Sequence, residues 1–201
     1  GNFGNILAGY YAQQMGLPVD KLIVATNEND ILHRLFAKGE YHRESVSETW
    51  SPSMDIQISS NLERYLYALS GNDAGTLSGW MQEFQSSGKL TLSGSQLATA
   101  QQQFASARVS SEETIETIRR VHQEYDYLLD PHSAIGYAAA EKIPCDSPVI
   151  SLACAHPAKF AKAIETAIGA PPPEPEVLAA LRQQDTRSHR LTGTVDAVRA
   201  Y

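Results

Sequence analysis

Residues 5–39 read NILAGYYAQQMGLPVDKLIVATNENDILHRLFAKG, and the change of apolar spacing inside this stretch decides the class of fold. Ile6, Leu7, Tyr10, Tyr11 and Met15 recur at the spacing of one helical face, and Gly16 followed by Pro18 supplies a stop. The run KLIVAT that follows is short, continuously apolar and rich in β-branched residues, which predicts a buried strand. It feeds NENDILHRLFAKG, a second helix. Helix, strand and helix in succession make an αβα unit of an α/β protein.

Upstream of this unit stands GNFGN, residues 1–5. A glycine-rich loop at a helix start offers unpaired backbone N–H groups, the positive end of a helix dipole and close approach of the main chain, all of which suit a phosphate. Asparagine adds amide donors and tolerates left-handed backbone. The loop lacks the GK[ST] of a Walker A motif and the strand that precedes a dinucleotide GxGxxG fingerprint. An anion cradle and an ordinary turn into a helix both remain open from these residues alone.

Downstream, the Ser/Pro-containing SETWSPSMD leads into helical segments at about 60–71, 75–87, 94–105 and 111–127. In the last, Ser110 and Glu113 have capping-box spacing, and Ile115, Ile118, Val121 and Tyr125 form its apolar stripe. DPHSAIGYAAAEK reads as a helix started by its proline. PVISLACA is expected to be a second buried strand, and HPAKFAKAIETAIG a helix beginning near Pro157 and stopped by Gly169. APPPEPE is a stiff linker to one or two short helices. Two strands are too little sheet for a complete doubly wound domain, so the expected class is a helix-rich α/β region with an incomplete sheet, part of something larger.

The chain has 201 residues, 42% of them hydrophobic, and 16 Lys and Arg against 23 Asp and Glu, for a formal charge of −7. With its ten arginines dispersed along an acidic chain, nucleic-acid binding is disfavoured. The longest apolar stretches fall well short of the roughly 20 residues that cross a bilayer. Cys145 and Cys154 lie outside any CxxC or zinc spacing, which argues against a metal knuckle or a disulfide framework and favours the cytoplasm.

Four blocks, taken in order, resemble successive parts of threonine synthase in its longer bacterial and fungal form: GNFGNILAGYYAQQMGLPVDKLIVATNENDI, SPSMDIQISSNLER, LLDPHSAIGYAA and LACAHPAKFAKAIETAIG. The likeness runs from residue 1 to about 169. It implies a pyridoxal 5′-phosphate (PLP) enzyme of fold type II that converts O-phosphohomoserine and water to threonine and phosphate. It further implies that residues 1–169 are the C-terminal portion of the PLP-binding large domain, with a helical insertion at about 60–127, and that 170–201 are a proline-rich linker and helical tail.

On this resemblance Gly1, Asn2, Phe3, Gly4 and Asn5 would hold the cofactor phosphate, mainly through backbone N–H groups. Cys154 stands where the family usually has a threonine that meets the pyridine nitrogen; a neutral thiol, like a hydroxyl, leaves that nitrogen largely unprotonated. Asn27, Glu28, Asn29 and Asp30 follow the strand LIVAT at the edge where open α/β sheets bind ligands. Asn27 and Asn29 could meet substrate there or cap the next helix. Met54 and Asp55 are candidates for the pocket wall. Asp130, His132 and His156 lack paired-ligand spacing, and their Asp-Pro and His-Pro settings favour helix starts over metal or acid–base work.

None of the six lysines, at 21, 38, 89, 142, 159 and 162, stands in a context like the family's Schiff-base lysine, which precedes the Gly/Asn loop. The chain is therefore expected to be a C-terminal part, cut by proteolysis or truncation, whose partner is the missing N-terminal part and which is inactive alone. A fold-type-II dehydratase or cysteine synthase, and a non-catalytic phosphate-binding or interaction module, are the competing readings.

Overall fold

A computed structural model describes residues 2–153 and 155–201. Its helices are α1 (Gly4–Gln14), α2 (Ile31–Lys38), α3 (Leu62–Leu69), α4 (Ala74–Ser87), α5 (Gly94–Gln103), α6 (Ser111–Tyr125), α7 (Pro131–Glu141), α8 (Ala161–Ile168), α9 (Glu176–Leu181) and α10 (Val195–Ala200). Its strands are β1 (Leu22–Thr26), β2 (Glu40–His42), β3 (Lys89–Thr91) and β4 (Phe104–Arg108). The expected α1–β1–α2 unit is present.

Strand β1 pairs in parallel with β4, Leu22 opposite Phe104 and Thr26 opposite Arg108. Alternation along β1 then sorts side chains between two layers, as a period of two requires. Leu22 and Val24 join the cluster formed with α1, α2 and α3, while Ile23 and Ala25 pack against Ile135, Ala138 and Ala139 of α7. Helices α6 and α8 close on α7 through Ile115, Ile118, Val121, Ala134 and Ile164. The first cluster is the aromatic one: the Phe3 ring lies 5.9 Å from Phe36 and 6.0 Å from Phe104, and Tyr65 stands edge-on to Phe104 at 4.9 Å. A Cβ on Gly9 would meet Leu22 Cδ2 at 3.0 Å, so a glycine lets α1 lie close on β1.

Two expectations are corrected. The partner of β1 is β4, whose first residues, Phe104 and Ala105, fall inside the helix expected at about 94–105. Helix α5 stops at Gln103, and Phe104 turns to extended backbone with φ −117° and ψ 138°, because its ring belongs in the aromatic cluster. PVISLACA is not a strand over its described residues 148–153, which have no regular structure. Val149 is 47% exposed and Ile150 86%. A strand exists only where a ladder partner supplies the opposite hydrogen bonds, and among the described residues none reaches this segment.

The punctuation follows the sequence closely. Ser110 and Glu113 form the expected capping box of α6, and Gly169 ends α8 with φ 73°. Pro157–Phe160 is a 3-10 turn before α8 rather than its first turn. Between Asn72 and Leu92, α4 and β3 lead to an antiparallel β2–β3 ribbon too short to show a pattern in the sequence.

Candidate functional site

Beyond the end of β1, the residues Asn27–Asp30 divide their work. Asn27 and Asn29 are 2% and 1% exposed. Asn27 Nδ2 donates toward Asp55 Oδ1 at 2.7 Å, Thr49 Oγ1 at 2.9 Å and Ser51 Oγ at 2.9 Å. Asn29 Nδ2 donates to the same Asp55 Oδ1 at 3.0 Å and to the Ser47 carbonyl at 2.8 Å, and its Oδ1 accepts from the Ser47 N–H at 2.8 Å. Asp55 also accepts from Thr49 Oγ1 at 2.7 Å and from the Thr49 N–H at 2.9 Å. Neither asparagine caps α2; instead Asn27 Oδ1 accepts from the Asn29 N–H at 2.9 Å, a local Asx-type turn. Glu28 takes the Ser111 N–H at 2.7 Å at the start of α6, and Asp30 takes Arg34 Nε at 2.8 Å.

The structure thus brings the three pocket candidates Asn27, Asn29 and Asp55 together. It also supplies Thr49 and Ser51, which the sequence showed only as turn residues. The amide hydrogens of Asn27 are outnumbered by their acceptors, so this is a saturated network. Met54 lies in the 3-10 turn Pro52–Met54 that closes it.

A second polar cluster begins α7. Asp130 caps the helix by accepting from the His132 N–H at 2.9 Å, and it also accepts from His132 Nδ1 at 3.0 Å and from Ser133 Oγ. Burial pushes the Asp130 carboxyl up, but the bonds donated by the His132 ring, by Ser133 and by the His132 N–H outweigh it and hold the carboxyl below its ordinary value. His156 accepts from the Ala158 N–H at 3.2 Å and caps the turn at Pro157. Asp130 and His156 therefore serve helix starts. Among the described residues no group of three or more His, Cys, Asp or Glu is arranged to hold a metal ion.

Two neighbouring cavities of about 260 and 520 Å3 share Tyr127, Leu129, Ser133 and Ala153 in their walls. The smaller also touches Asp130, Ala155 and His156. Cys154 itself, like Gly1, lies outside the described residues.

At the other candidate site, α1 starts with Phe3 at its N-cap and no side chain capping it. Gly4 and Asn5 are exposed, and the space beside Gly4 is bounded by Asn61 Nδ2, 3.5 Å from where a Cβ would stand. Phe3 differs from its neighbours: its ring is fully buried, and its N–H is committed to Ser59 Oγ at 3.3 Å. It anchors the loop instead of presenting a donor. Asn2 is exposed.

The family description "Threonine synthase, C-terminal" matches residues 133–201. The threonine synthase of Pseudomonas aeruginosa is 43% identical over 204 residues, covering 100% of this chain and 44% of that protein. That of Saccharomyces cerevisiae is 46% identical over 84% of this chain and 36% of its own length. A crystal structure of PLP-bound threonine synthase from Brucella melitensis superposes with a TM-score of 0.89 at 48% identity, covering 92% of this chain and 40% of that one. The chain spans less than half the length of the relatives it matches.

Helix-rich layers on a short parallel sheet, aligned with such an enzyme, make this chain part of a fold-type-II α/β domain. Within that class it belongs to the threonine synthase family, as a C-terminal part.

Proposed function

We propose that this chain supplies the C-terminal part of a PLP-dependent threonine synthase, which converts O-phosphohomoserine and water to threonine and phosphate. The observation that carries the reading is the likeness, over nearly the whole chain, to a structure whose protein binds PLP. The residues present fit that cofactor. The start of α1 has no capping side chain, and Gly4 and Asn5 are exposed there.

Gly1, Asn2, Gly4 and Asn5 would hold the cofactor phosphate, with Phe3 fixing the loop to the core through its buried ring. Cys154 would meet the pyridine nitrogen, beside the cavity that Ala153 and Ala155 line. When bound, PLP supplies an electron sink for negative charge developing on substrate carbons. Asn27, Asn29 and Asp55 would form a rigid wall of the substrate pocket, with the Asn27 amide held in one orientation by Thr49, Ser51 and Asp55 and the Asn29 amide by Ser47 and Asp55. The lysine that binds the cofactor covalently would come from a region upstream. Residues 1–169 would be the large-domain portion and 170–201 a linker and tail, in a protein of the cytoplasm. The exposed apolar residues Val149 and Ile150 support a covering partner, and we take that partner to be the upstream region.

The test is a protein joining this chain to an upstream threonine synthase region. Stoichiometric PLP binding, phosphate release from O-phosphohomoserine and formation of threonine are expected. A folded, PLP-loaded protein that releases no phosphate would overturn the reading.

A further inference from the structure

His132 is 8% exposed and has both ring nitrogens engaged. Its Nδ1 lies 3.0 Å from Asp130 Oδ1, and an ionised carboxylate only accepts, so Nδ1 carries the proton. Its Nε2 is then the acceptor for the Ser53 N–H at 3.3 Å. Only the neutral ring with the proton on Nδ1 satisfies both partners; a proton on Nε2 would face an N–H.

Ser53 sits in the 3-10 turn Pro52–Met54, where the first N–H groups find no partner within the turn. That turn joins Ser51 to Asp55, and both accept from Asn27 Nδ2. One imidazole therefore connects two polar clusters far apart in sequence. On one side are Asp130 and Ser133, in the wall of the cavity beside Ala153 and Ala155; on the other is the asparagine network.

We propose that His132 is a positioning residue, which holds the turn at 52–54 and so sets Asp55, Asn27 and Asn29 relative to the cofactor end of the pocket. The proposal rests on the functional reading above. It assigns His132 no contact with substrate or cofactor. Its effect is on how well the asparagine wall is placed for substrate.

Two variants separate the two ring nitrogens. In His132→Asn the amide nitrogen superposes on Nδ1 and keeps the bond to Asp130, but nothing reaches Ser53. In His132→Gln the amide oxygen reaches the Nε2 position and accepts from Ser53. In the PLP-loaded protein that joins this chain to its upstream region, His132→Asn is expected to raise KM for O-phosphohomoserine about fivefold or more with kcat changed less than about twofold, and His132→Gln to recover most of the loss. In NMR spectra of the chain, His132→Asn should move the Ser53 amide and the side-chain amide signals of Asn27 and Asn29, and His132→Gln should leave them near their original positions. The unmodified chain offers a check that needs no variant, because its ring nitrogen shifts must show a protonated Nδ1 and a bare Nε2.

The opposite tautomer, unmoved Asn27 and Asn29 signals in a folded His132→Asn, or an unchanged KM would each overturn the proposal. Failure of the joined protein to bind PLP would sink the cofactor reading while the NMR link between Ser53 and His132 persists, so the two ideas fail separately.

Discussion

Asp55 Oδ1 lies 2.7 Å from Asn27 Nδ2, and that single oxygen also receives Asn29 Nδ2 and Thr49 Oγ1. Removing the carboxylate would leave one Asn29 amide hydrogen and the Thr49 N–H without their acceptor, while Asn27 Nδ2 keeps Thr49 and Ser51. Asp55→Ala is expected to cost about 3 kcal/mol, since each unsatisfied donor away from water costs roughly 1–3 kcal/mol and the two partly relax together. Asp55→Asn should cost less, about 1–2 kcal/mol, because only the Thr49 N–H then faces a donor. Urea unfolding of the chain measures both, and equal losses would show that the network is not organised around the carboxylate.

Asp130 makes stability depend on pH in one direction. Its folded carboxyl titrates below the unfolded value, which is near 4 for an aspartate. The unfolded chain therefore holds the proton more tightly, so the contribution is fully present above about pH 4 and is lost as pH falls through the lower folded value. Asp130→Asn, which can still cap α7, should flatten this part of the acid limb while lowering stability at neutral pH by about 1 kcal/mol. Thermal midpoints between roughly pH 6 and pH 3 show the difference.

Phe3 belongs to the proposed phosphate loop in sequence and to the core in space. Phe3→Ala should cost about 3–5 kcal/mol by leaving a cavity among Phe36, Tyr65 and Phe104. Phe3→Leu should cost about half as much. Loss of stability with no change in PLP affinity in the joined protein would show that the loop does not depend on its anchor.

Gly4 separates cradle from cap. A Cβ there would stand in ordinary contact with Asn61, 3.5 Å away, so Gly4→Ala should fold as well as the parent and gain up to about 1 kcal/mol of helix stability. If the main chain at Gly4 approaches a phosphate, the same methyl group should weaken PLP binding about tenfold or more in the joined protein. Unchanged affinity by cofactor titration would return the loop to a plain helix start.

None of the six lysines in this chain is placed as a cofactor lysine in sequence, and two of them are visibly committed in the fold. Lys21 Nζ donates to the Gln101 carbonyl at 2.9 Å, and Lys142 Nζ to the Arg108 carbonyl at 2.7 Å. PLP followed by borohydride should label the chain weakly and at scattered lysines. A single lysine labelled stoichiometrically would overturn the assignment of the covalent lysine to an upstream region.

The α1–β1–α2 unit was legible because its apolar spacing, glycine stops and β-branched run agree. Strand β4 was not: Phe104–Arg108 has no β-branched residue, continues the composition of α5, and is a strand only because β1 lies beside it. For PVISLACA the error ran the other way, since strand composition cannot reveal whether a partner strand is at hand. The rule that ligands gather past the end of a parallel strand singled out Asn27 and Asn29 as candidates, and the structure joins the two through Asp55. The hydroxyls of Thr49 and Ser51 carried no signal beyond turn formation, and nothing in the sequence connects His132 to Ser53, 79 residues away.

The exposed, irregular segment at 148–153 also governs how the chain behaves as a material. Pro148–Ala153 contains no charge, its valine and isoleucine favour extended backbone, and Ile150 is 86% exposed, which together are the ingredients of intermolecular cross-β stacking. Asp146, two residues before Pro148, is the one acidic residue that stands next to this segment. Concentrated solutions should therefore scatter light and lose monomer at temperatures where the helices are still intact, and chaperones that grip extended apolar peptides should retain the chain. A charged residue at position 150 would relieve both without touching the core.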